Sequence, residues 1–224
     1  MVTLGTAQYI IHTVSMLLAY IIVVPIAGYA RAWAAKKMGD DTPEELGFLS
    51  LDPFVHADFV GLVCLLFFGV GWGKNSPVNP SNIIYSPHGW FKLGFVFFAD
   101  VFCYFMFALI ALTIDLALVG PEVLALIGQG GATSSSLVLS IGAVLTFIIY
   151  WTIVLAAIFS IIRLFEFLMV LNPRWFAYYM AHNQLFLVVL YFIVIFFVTP
   201  PIKLLLSLLI SYLATGILHV FGLM

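Results

Sequence analysis

The chain has 224 residues, of which 64% are hydrophobic and 8% are charged. A soluble domain carries about 25% charged residues, so this composition excludes a soluble globular fold. The net charge of −2 gives no field that attracts nucleic acid, and we expect no nucleic-acid partner. The chain is therefore predicted to be an all-α, multi-pass integral membrane bundle, with residues 1–224 forming a single membrane domain.

Six apolar segments are predicted to lie in the membrane, because runs of roughly 20 residues with few charges recur along the chain. The second segment is short for a complete crossing, which fits a re-entrant segment. Pro25 and Gly28 are expected to kink the first helix, and Gly39 is expected to end it. The six segments cover residues 9–35, 59–73, 90–119, 137–170, 177–198 and 201–222.

Two surface segments, residues 40–58 and 74–89, are predicted between the apolar runs. Half of the charged residues of the chain lie in or next to the first one. We expect residues 43–58 to be extended along the membrane surface, because Pro53 disfavours helix at the residue before it and Gly47 interrupts any helical period. The second segment begins with a loop rich in proline and asparagine, which should not be helical.

Two motifs occur in order across these segments. Residues 39–61 read GDDTPEELGFLSLDPFVHADFVG, and residues 71–80 read GWGKNSPVNP. They resemble the site-2 protease family of intramembrane zinc metalloproteases, in which a G-D-x-T stretch leads to G-x-L-[ST]-L-[ND]-P-x-x-H-x-D-x-x-G and then to G-W-[AG]-K-x-x-P-V-N-P. The resemblance implies a membrane core like that of the family. It covers residues 9–80 well, and the rest of the chain only by hydropathy and loop order.

The chemistry that defines the family is absent. A zinc site of this class needs two histidines four residues apart, a glutamate after the first of them, and a third protein ligand. The resemblance places the two histidines and the glutamate within residues 27–31, which read AGYAR, and the third protein ligand near Arg163. We therefore expect no catalytic residue, no metal and no cofactor. None of the histidines is followed by glutamate or lies four residues from another; they are His12, His56, His88, His182 and His219.

His56 and Asp58 correspond to the H-x-D of the first motif. They are interpreted either as a residual metal or proton site, or as part of a surface turn held by side-chain hydrogen bonds, with Asp52 as a cap. The structural interpretation is favoured, because two ligands do not make a zinc site. A relocated metal site around His56, Asp58 and His88 is kept as an alternative.

Ionisable residues inside apolar segments are costly and need polar partners. Arg163 and Glu166 lie three residues apart and share a helix face, which predicts an internal ion pair or a pair completed by a neighbouring subunit. Asp100 and Asp115 either pair with them or reach toward a membrane interface. Because the chain supplies few such groups, partner helices are expected to supply the rest. Ion transport and cytochrome functions are less supported, because the acidic residues are scattered and no histidine pair stands at bundle spacing.

These features predict a catalytically inactive relative of the site-2 proteases that acts as an accessory or structural subunit of a larger hetero-oligomeric membrane complex. Its expected partners are other integral membrane proteins and lipids. Two alternatives stay open: a membrane enzyme with the relocated metal site, and a protein that binds a lipid or small molecule in the vacated cavity. Cys64 and Cys103 lie in apolar runs and are expected to be buried hydrophobic residues, not a disulfide or a metal pair.

Overall fold

The computed structural model describes residues 4–118 and 137–172, together with isolated positions after residue 173. Within the two described stretches the chain is mostly helical and contains no β-strand, apart from an isolated bridge that joins Ala57 to Gly73. The predicted segments 177–198 and 201–222 lie outside these stretches. In chain order the helices are α1 (Leu4–Met38), α2 (Thr42–Glu45), α3 (Pro53–His56), α4 (Phe59–Phe68), α5 (Pro80–Ile84), α6 (Gly89–Leu118) and α7 (Leu137–Leu171).

Helices α1, α6 and α7 are each long and apolar enough to cross a membrane. Their qualifying stretches, Thr13–Met38, Gly89–Asp115 and Val144–Leu171, contain 26, 27 and 28 residues. A helix rises about 1.5 Å per residue, so each stretch exceeds the roughly 30 Å of a hydrocarbon core. The described part of the chain is therefore that of a membrane protein with three candidate spans.

Helix α1 ends where the sequence predicts, at the residue before Gly39. Gly39 takes a φ of 102°, a conformation that favours glycine. Its amide donates to the carbonyl of Lys36 at 3.1 Å, and the amide of Asp40 donates to the carbonyl of Ala35 at 3.0 Å. These are the paired hydrogen bonds of a Schellman ending. The helix is assigned without a break at Pro25, where a kink was predicted.

The first surface segment forms two single helical turns, α2 and α3, where we predicted extended chain over residues 43–58. As predicted, the segment is not one continuous helix, and Gly47, with a φ of 79°, lies between the two turns. Asp52 is extended, as residues before proline tend to be, and its carboxylate accepts a hydrogen bond from the Phe54 amide at 2.9 Å. This predicted cap, with Pro53 as the first helical residue, stabilises a turn that sequence reasoning omitted.

Helix α4 is apolar but has only 10 residues, which span about 15 Å and cannot complete a crossing. The Asp58 carboxylate caps it by accepting a hydrogen bond from the Gly61 amide at 2.7 Å. Gly69, with a φ of 71°, ends it. The predicted membrane segment 59–73 thus consists of a short helix and a non-helical return. The loop predicted over residues 75–80 is non-helical up to Asn79, but Pro80 is the first residue of α5.

The return after α4 lies directly against α1. A β-carbon on Gly73 would collide with Val24 of α1 and stand 2.7 Å from the carbonyl oxygen of His56, so only glycine allows this approach. The Tyr20 hydroxyl of α1 donates to the carbonyl oxygen of Trp72 at 3.0 Å. These contacts direct the following residues toward the junction of α1, α6 and α7.

Two buried apolar clusters hold the three long helices together. The larger joins α1, α4, α6 and α7 and includes Tyr20, Tyr104 and Trp151. The smaller joins the end of α1 and α5 to α6 and α7 and includes Ile83 and Phe97. Along the three long helices, Arg31, Asp100, Arg163 and Glu166 stand between residues of the larger cluster and residues of the smaller one.

The two cysteines are free thiols, as predicted. Cys64 is buried in the larger apolar cluster, and Cys103 is half-buried at its edge.

Candidate functional site: a buried charge cluster

Four charged side chains are buried where α1, α6 and α7 meet. Arg31 comes from α1, Asp100 from α6, and Arg163 and Glu166 from α7; each is at most 4% exposed. Such side chains are almost never fully buried unless they are paired. We call these four residues the charge cluster.

Each carboxylate of the charge cluster faces both arginines. Arg163 donates from Nε and Nη2 to Asp100 Oδ2 at 3.0 and 2.5 Å, and from Nη1 to Glu166 Oε2 at 2.8 Å. Arg31 Nη1 lies 3.8 Å from Asp100 Oδ2, and its Nη2 lies 3.6 Å from Glu166 Oε2. Two positive and two negative charges therefore cancel, the condition under which buried charges are tolerated.

The loop after α4 enters the charge cluster through Asn75. The Oδ1 of Asn75 accepts a hydrogen bond from Arg31 Nη1 at 2.6 Å, and its Nδ2 donates to Glu166 Oε1 at 3.4 Å. The hydroxyl of Ser76 donates to the carbonyl oxygen of Gly28 at 3.1 Å. The amide side chain thus joins α1 to α7, and the loop is held against α1 at both residues.

Aromatic rings cover both arginines. The guanidinium carbon of Arg31 lies 5.3 Å from the centre of the Phe97 ring, and that of Arg163 lies 5.1 Å from the centre of the Phe159 ring. A cation over an aromatic face is attracted by the ring. Each guanidinium group of the charge cluster is therefore stabilised by an aromatic ring.

The prediction for Arg163 and Glu166 is confirmed: they form an internal pair and face protein. Asp100 is their partner on α6, one of the two acids proposed. Asp115 is not; it lies about 22 Å further along α6 by helical rise, and its Oδ2 accepts a hydrogen bond from Thr146 at 2.8 Å. The expectation that partner helices complete these pairs is wrong for this cluster, because the chain itself supplies the counter-charges.

Sequence reasoning missed Arg31 as a member of the charge cluster. A signal for it exists in the motif resemblance, which assigns one zinc-ligand position to Arg31 and another to the vicinity of Arg163. Two ligands of one metal must be neighbours, so the same alignment to the family motifs predicts that the two arginines lie close together. Both contact Asp100 and Glu166.

His56 fills the space beside Gly28. It is fully buried, and its Nε2 lies 2.7 Å from the carbonyl oxygen of Ser50, so this nitrogen carries the proton and donates. Its Nδ1 faces Gly28, where an added β-carbon would stand 2.8 Å from Cε1 and closer still to Nδ1. Burial lowers the pKa of His56 below its ordinary 6.5. The ring therefore acts as a neutral packing group that connects α3 to α1.

The three residues of the proposed relocated site have separate surroundings. The Asp58 carboxylate caps α4 at the Gly61 amide, while the His56 ring bonds to the Ser50 carbonyl. His88 is exposed, with a φ of 59°, in the turn before α6. Among the residues described by the structure, no three His, Cys, Asp or Glu side chains are grouped closely enough to hold a metal.

A cavity of about 20 Å³ adjoins the charge cluster and is lined in part by Gly28, Lys74 and Tyr104. This is room for about one water-sized occupant, so it is far too small for a lipid. A larger groove of about 330 Å³ lies where α5 and the start of α6 meet the end of α7, lined in part by Tyr85 and Trp90.

Comparisons with known proteins give a partial similarity. No family model matches the chain, and no solved structure matches it. The chain is 37% identical over 68 residues to "Putative zinc metalloprotease YwhC" of Bacillus subtilis (strain 168), which covers 28% of this chain and 31% of that protein. The match thus spans about a third of the relative. A zinc metalloprotease is the class of protein that the two sequence motifs resemble, and the three apolar helices agree with a membrane protein.

Proposed function

We propose that this protein is a catalytically inactive, site-2-protease-like, multi-pass membrane protein that acts as an accessory or structural subunit of a larger membrane complex. One observation carries the proposal: Arg31 and Arg163 lie together in a neutral, buried ion cluster. The motif resemblance assigns one zinc ligand to the position of Arg31 and another to the vicinity of Arg163.

Arginine is unsuited to a zinc site for two reasons. The guanidinium group has no lone pair to offer a metal, and its charge repels a dication strongly in a low-dielectric interior. The carboxylates of Asp100 and Glu166 are already engaged by both arginines. The charges of the cluster are balanced without a metal, which supports a structural role.

The position assigned to the catalytic glutamate supports the same conclusion. Gly28 has no side chain, and the buried ring of His56 fills the adjoining space. A general base therefore cannot stand at residue 28 unless His56 moves. Proteolysis by the family's mechanism would require changes on both α1 and α3.

The surface segment supports a role in binding other proteins. The first surface segment, residues 40–58, is anchored by Asp40. The Asp40 carboxylate accepts hydrogen bonds from the backbone amide of Asn79 at 2.8 Å and from Asn82 Nδ2 at 2.8 Å. The segment nevertheless exposes large apolar side chains, with Leu51 58% and Phe54 85% exposed. A segment that is held by these hydrogen bonds and presents apolar groups is suited to contact with a partner.

The test is a comparison of cells with and without the gene. Deletion should lower the amount or stability of a partner membrane complex that co-purifies with the protein in mild detergent. Phe54→Ser should weaken this co-purification, whereas Phe102→Ser, a matched change of a 67% exposed residue on α6, should leave it intact. A membrane substrate that accumulates uncut after deletion would contradict the proposal.

Lipid binding is the second candidate, and one observation favours it. The groove of about 330 Å³ beside Tyr85 and Trp90 is mainly apolar with aromatic side chains at its wall, a composition typical of membrane–water interfaces. A lipid that stays bound in one-to-one ratio through purification, and is lost in Trp90→Ala, would favour this function over the subunit role.

A further inference from the structure

The basic residues of the chain are unevenly distributed along the sequence. Seven of the eight Lys and Arg residues lie in two stretches, residues 31–92 and 163–174, while residues 1–30 and 93–162 contain none. Arg31 and Arg163 belong to the charge cluster. The other five are Lys36 and Lys37 at the end of α1, Lys74 before α5, Lys92 at the start of α6, and Arg174 after α7.

The packing of the three long helices brings these positions to one end of the bundle. The smaller apolar cluster joins Ala35 near the end of α1, Leu93 near the start of α6 and Val170 near the end of α7. Asp115, near the end of α6, bonds to Thr146, near the start of α7. α6 is therefore antiparallel to α1 and α7. The opposite end of the bundle is formed by the start of α1 and by the junction of α6 with α7, where the sequence has no Lys or Arg.

The short helix α4 decides that Lys92 lies on the same side as Lys36. A complete crossing by residues 59–73 would place the residues before and after it on opposite sides of the membrane. α4 spans only about 15 Å, and the chain then returns, so that the Lys74 amide donates to the carbonyl oxygen of His56 at 2.7 Å. The residues between α1 and α6 thus leave the membrane surface and come back to the same one.

Exposed tryptophans occur at this end as well. Trp33, Trp90 and Trp175 are 43%, 45% and 54% exposed, whereas the other two tryptophans of the chain are buried in the larger apolar cluster. The ammonium group of Lys37 lies 5.8 Å from the centre of the Trp33 ring. Tryptophan is enriched at the headgroup level of membranes, which places this end of the bundle at a membrane–water interface.

We propose that this end of the bundle faces the cytoplasm and that the basic side chains at the helix ends contact the anionic headgroups of that leaflet. These are Lys36, Lys37, Lys92 and Arg174. Lys and Arg near the ends of spans favour the cytoplasmic side, and acidic residues contribute little to this preference. The pairing of Lys36 with Glu44 therefore does not cancel it. The cytoplasmic leaflet is negatively charged and attracts basic side chains next to a span.

The orientation also defines the side from which a partner is bound. The first surface segment follows α1 directly, so it lies at the cytoplasmic end of the bundle. A partner that contacts Leu51 and Phe54 would reach them from the cytoplasm. This consequence rests on the proposed function, whereas the orientation itself does not.

The experiment labels introduced cysteines with a membrane-impermeant maleimide, in spheroplasts of a bacterial host that expresses the full chain and in inverted membrane vesicles. Glu45→Cys, at an exposed position of the first surface segment, should react only in the inverted vesicles. Ser134→Cys, between α6 and α7 in the sequence, should react only in the spheroplasts. Asp41→Cys and Gln129→Cys repeat the two measurements. The natural chain, with one cysteine buried and one half-buried, gives the background. The reverse pattern, or reaction at both positions from one side, would overturn the proposal.

A charge variant tests the role of the basic residues. It carries Lys36→Gln, Lys37→Gln, Lys92→Gln and Arg174→Gln. A share of these chains should insert in the opposite orientation, so that a cysteine at residue 45 becomes labelled in both preparations. Replacing the acids instead, with Asp41→Gln and Glu44→Gln, is the matched control and should leave the labelling unchanged. Unchanged labelling in the charge variant would overturn the headgroup contact. Labelling does not measure partner binding, so failure here is distinguishable from failure of the proposed function.

Discussion

The ring of His56 packs directly onto the backbone of Gly28. A β-carbon on residue 28 would stand 2.8 Å from Cε1 of His56 and closer still to Nδ1. This contact joins the first surface segment to α1, and it uses the one residue of α1 at which the motif resemblance expects a catalytic side chain. A glycine and a buried histidine thus form a structural contact in its place.

Gly28→Ala should therefore destabilise the protein by about 1–3 kcal/mol, the usual effect of overpacking. The measurement is the free energy of unfolding, or Tm, in mild detergent. Gly94→Ala on α6 is the matched control, because a β-carbon there would meet Phe167 only at an ordinary 3.8 Å. That substitution should be neutral or stabilising, since alanine favours helix over glycine.

A double-mutant cycle identifies the cause of this effect. In a His56→Ala background the obstructing ring is gone, so Gly28→Ala should cost much less than it does in the natural sequence. Purely additive effects of the two substitutions would contradict the packing that we describe.

Glu166→Leu should break the charge cluster. It removes the carboxylate that faces Arg31 and Arg163, and an unbalanced charge left in a buried ion cluster costs about 3–5 kcal/mol. We expect a lower Tm and a lower yield of folded protein. Glu45→Leu, a change of an exposed acid in the surface segment, is the control and should have little effect. An unchanged Tm in Glu166→Leu would mean that the cluster does not hold the helices together.

The purified protein should contain well below one zinc per chain by metal analysis. Restoring the motif on α1 alone, with Ala27→His, Gly28→Glu and Arg31→His, should not create a zinc site, because a glutamate at residue 28 collides with His56 and Arg163 repels the metal. Stoichiometric zinc in the triple variant, or zinc in the natural protein that is lost on mutating residues near 27 or 163, would contradict this.

Acidification should destabilise the fold through His56. Burial lowers the pKa of this histidine below its ordinary 6.5; the Ser50 hydrogen bond and Asp52 oppose this with smaller effects, and Lys74 adds the smallest effect, which lowers the pKa further. The folded state keeps the ring neutral while the unfolded chain takes up a proton, so stability falls as pH drops through about 6.5.

The measurement for this prediction is Tm between pH 8 and pH 5. The decline should be shallower in His56→Gln than in the natural protein. His88→Gln, at an exposed histidine, should keep the full decline. Equal declines in the natural protein and in His56→Gln would show that another group is responsible.

Local features of the fold could be predicted from the sequence. The membrane character follows from composition, the end of α1 follows from the glycine at residue 39, and the cap at Asp52 follows from the adjoining proline. The shared face of Arg163 and Glu166 follows from helical periodicity. The helical turn of α2 could not be predicted with the same rules, because it has no side-chain cap and follows Asp40, whose partners Asn79 and Asn82 are distant in the sequence.

The sequence by itself determined that this chain is a helical membrane protein with charged residues inside its apolar segments and with no HExxH motif in any register. Only the tertiary structure decided which charges meet. Arg163 and Asp100 are 63 positions apart, and helical periodicity fixes the face of a residue but not the helix that packs on it. The contact between His56 and Gly28 was decided in the same way, because the sequence does not show which residue fills the space left by a glycine.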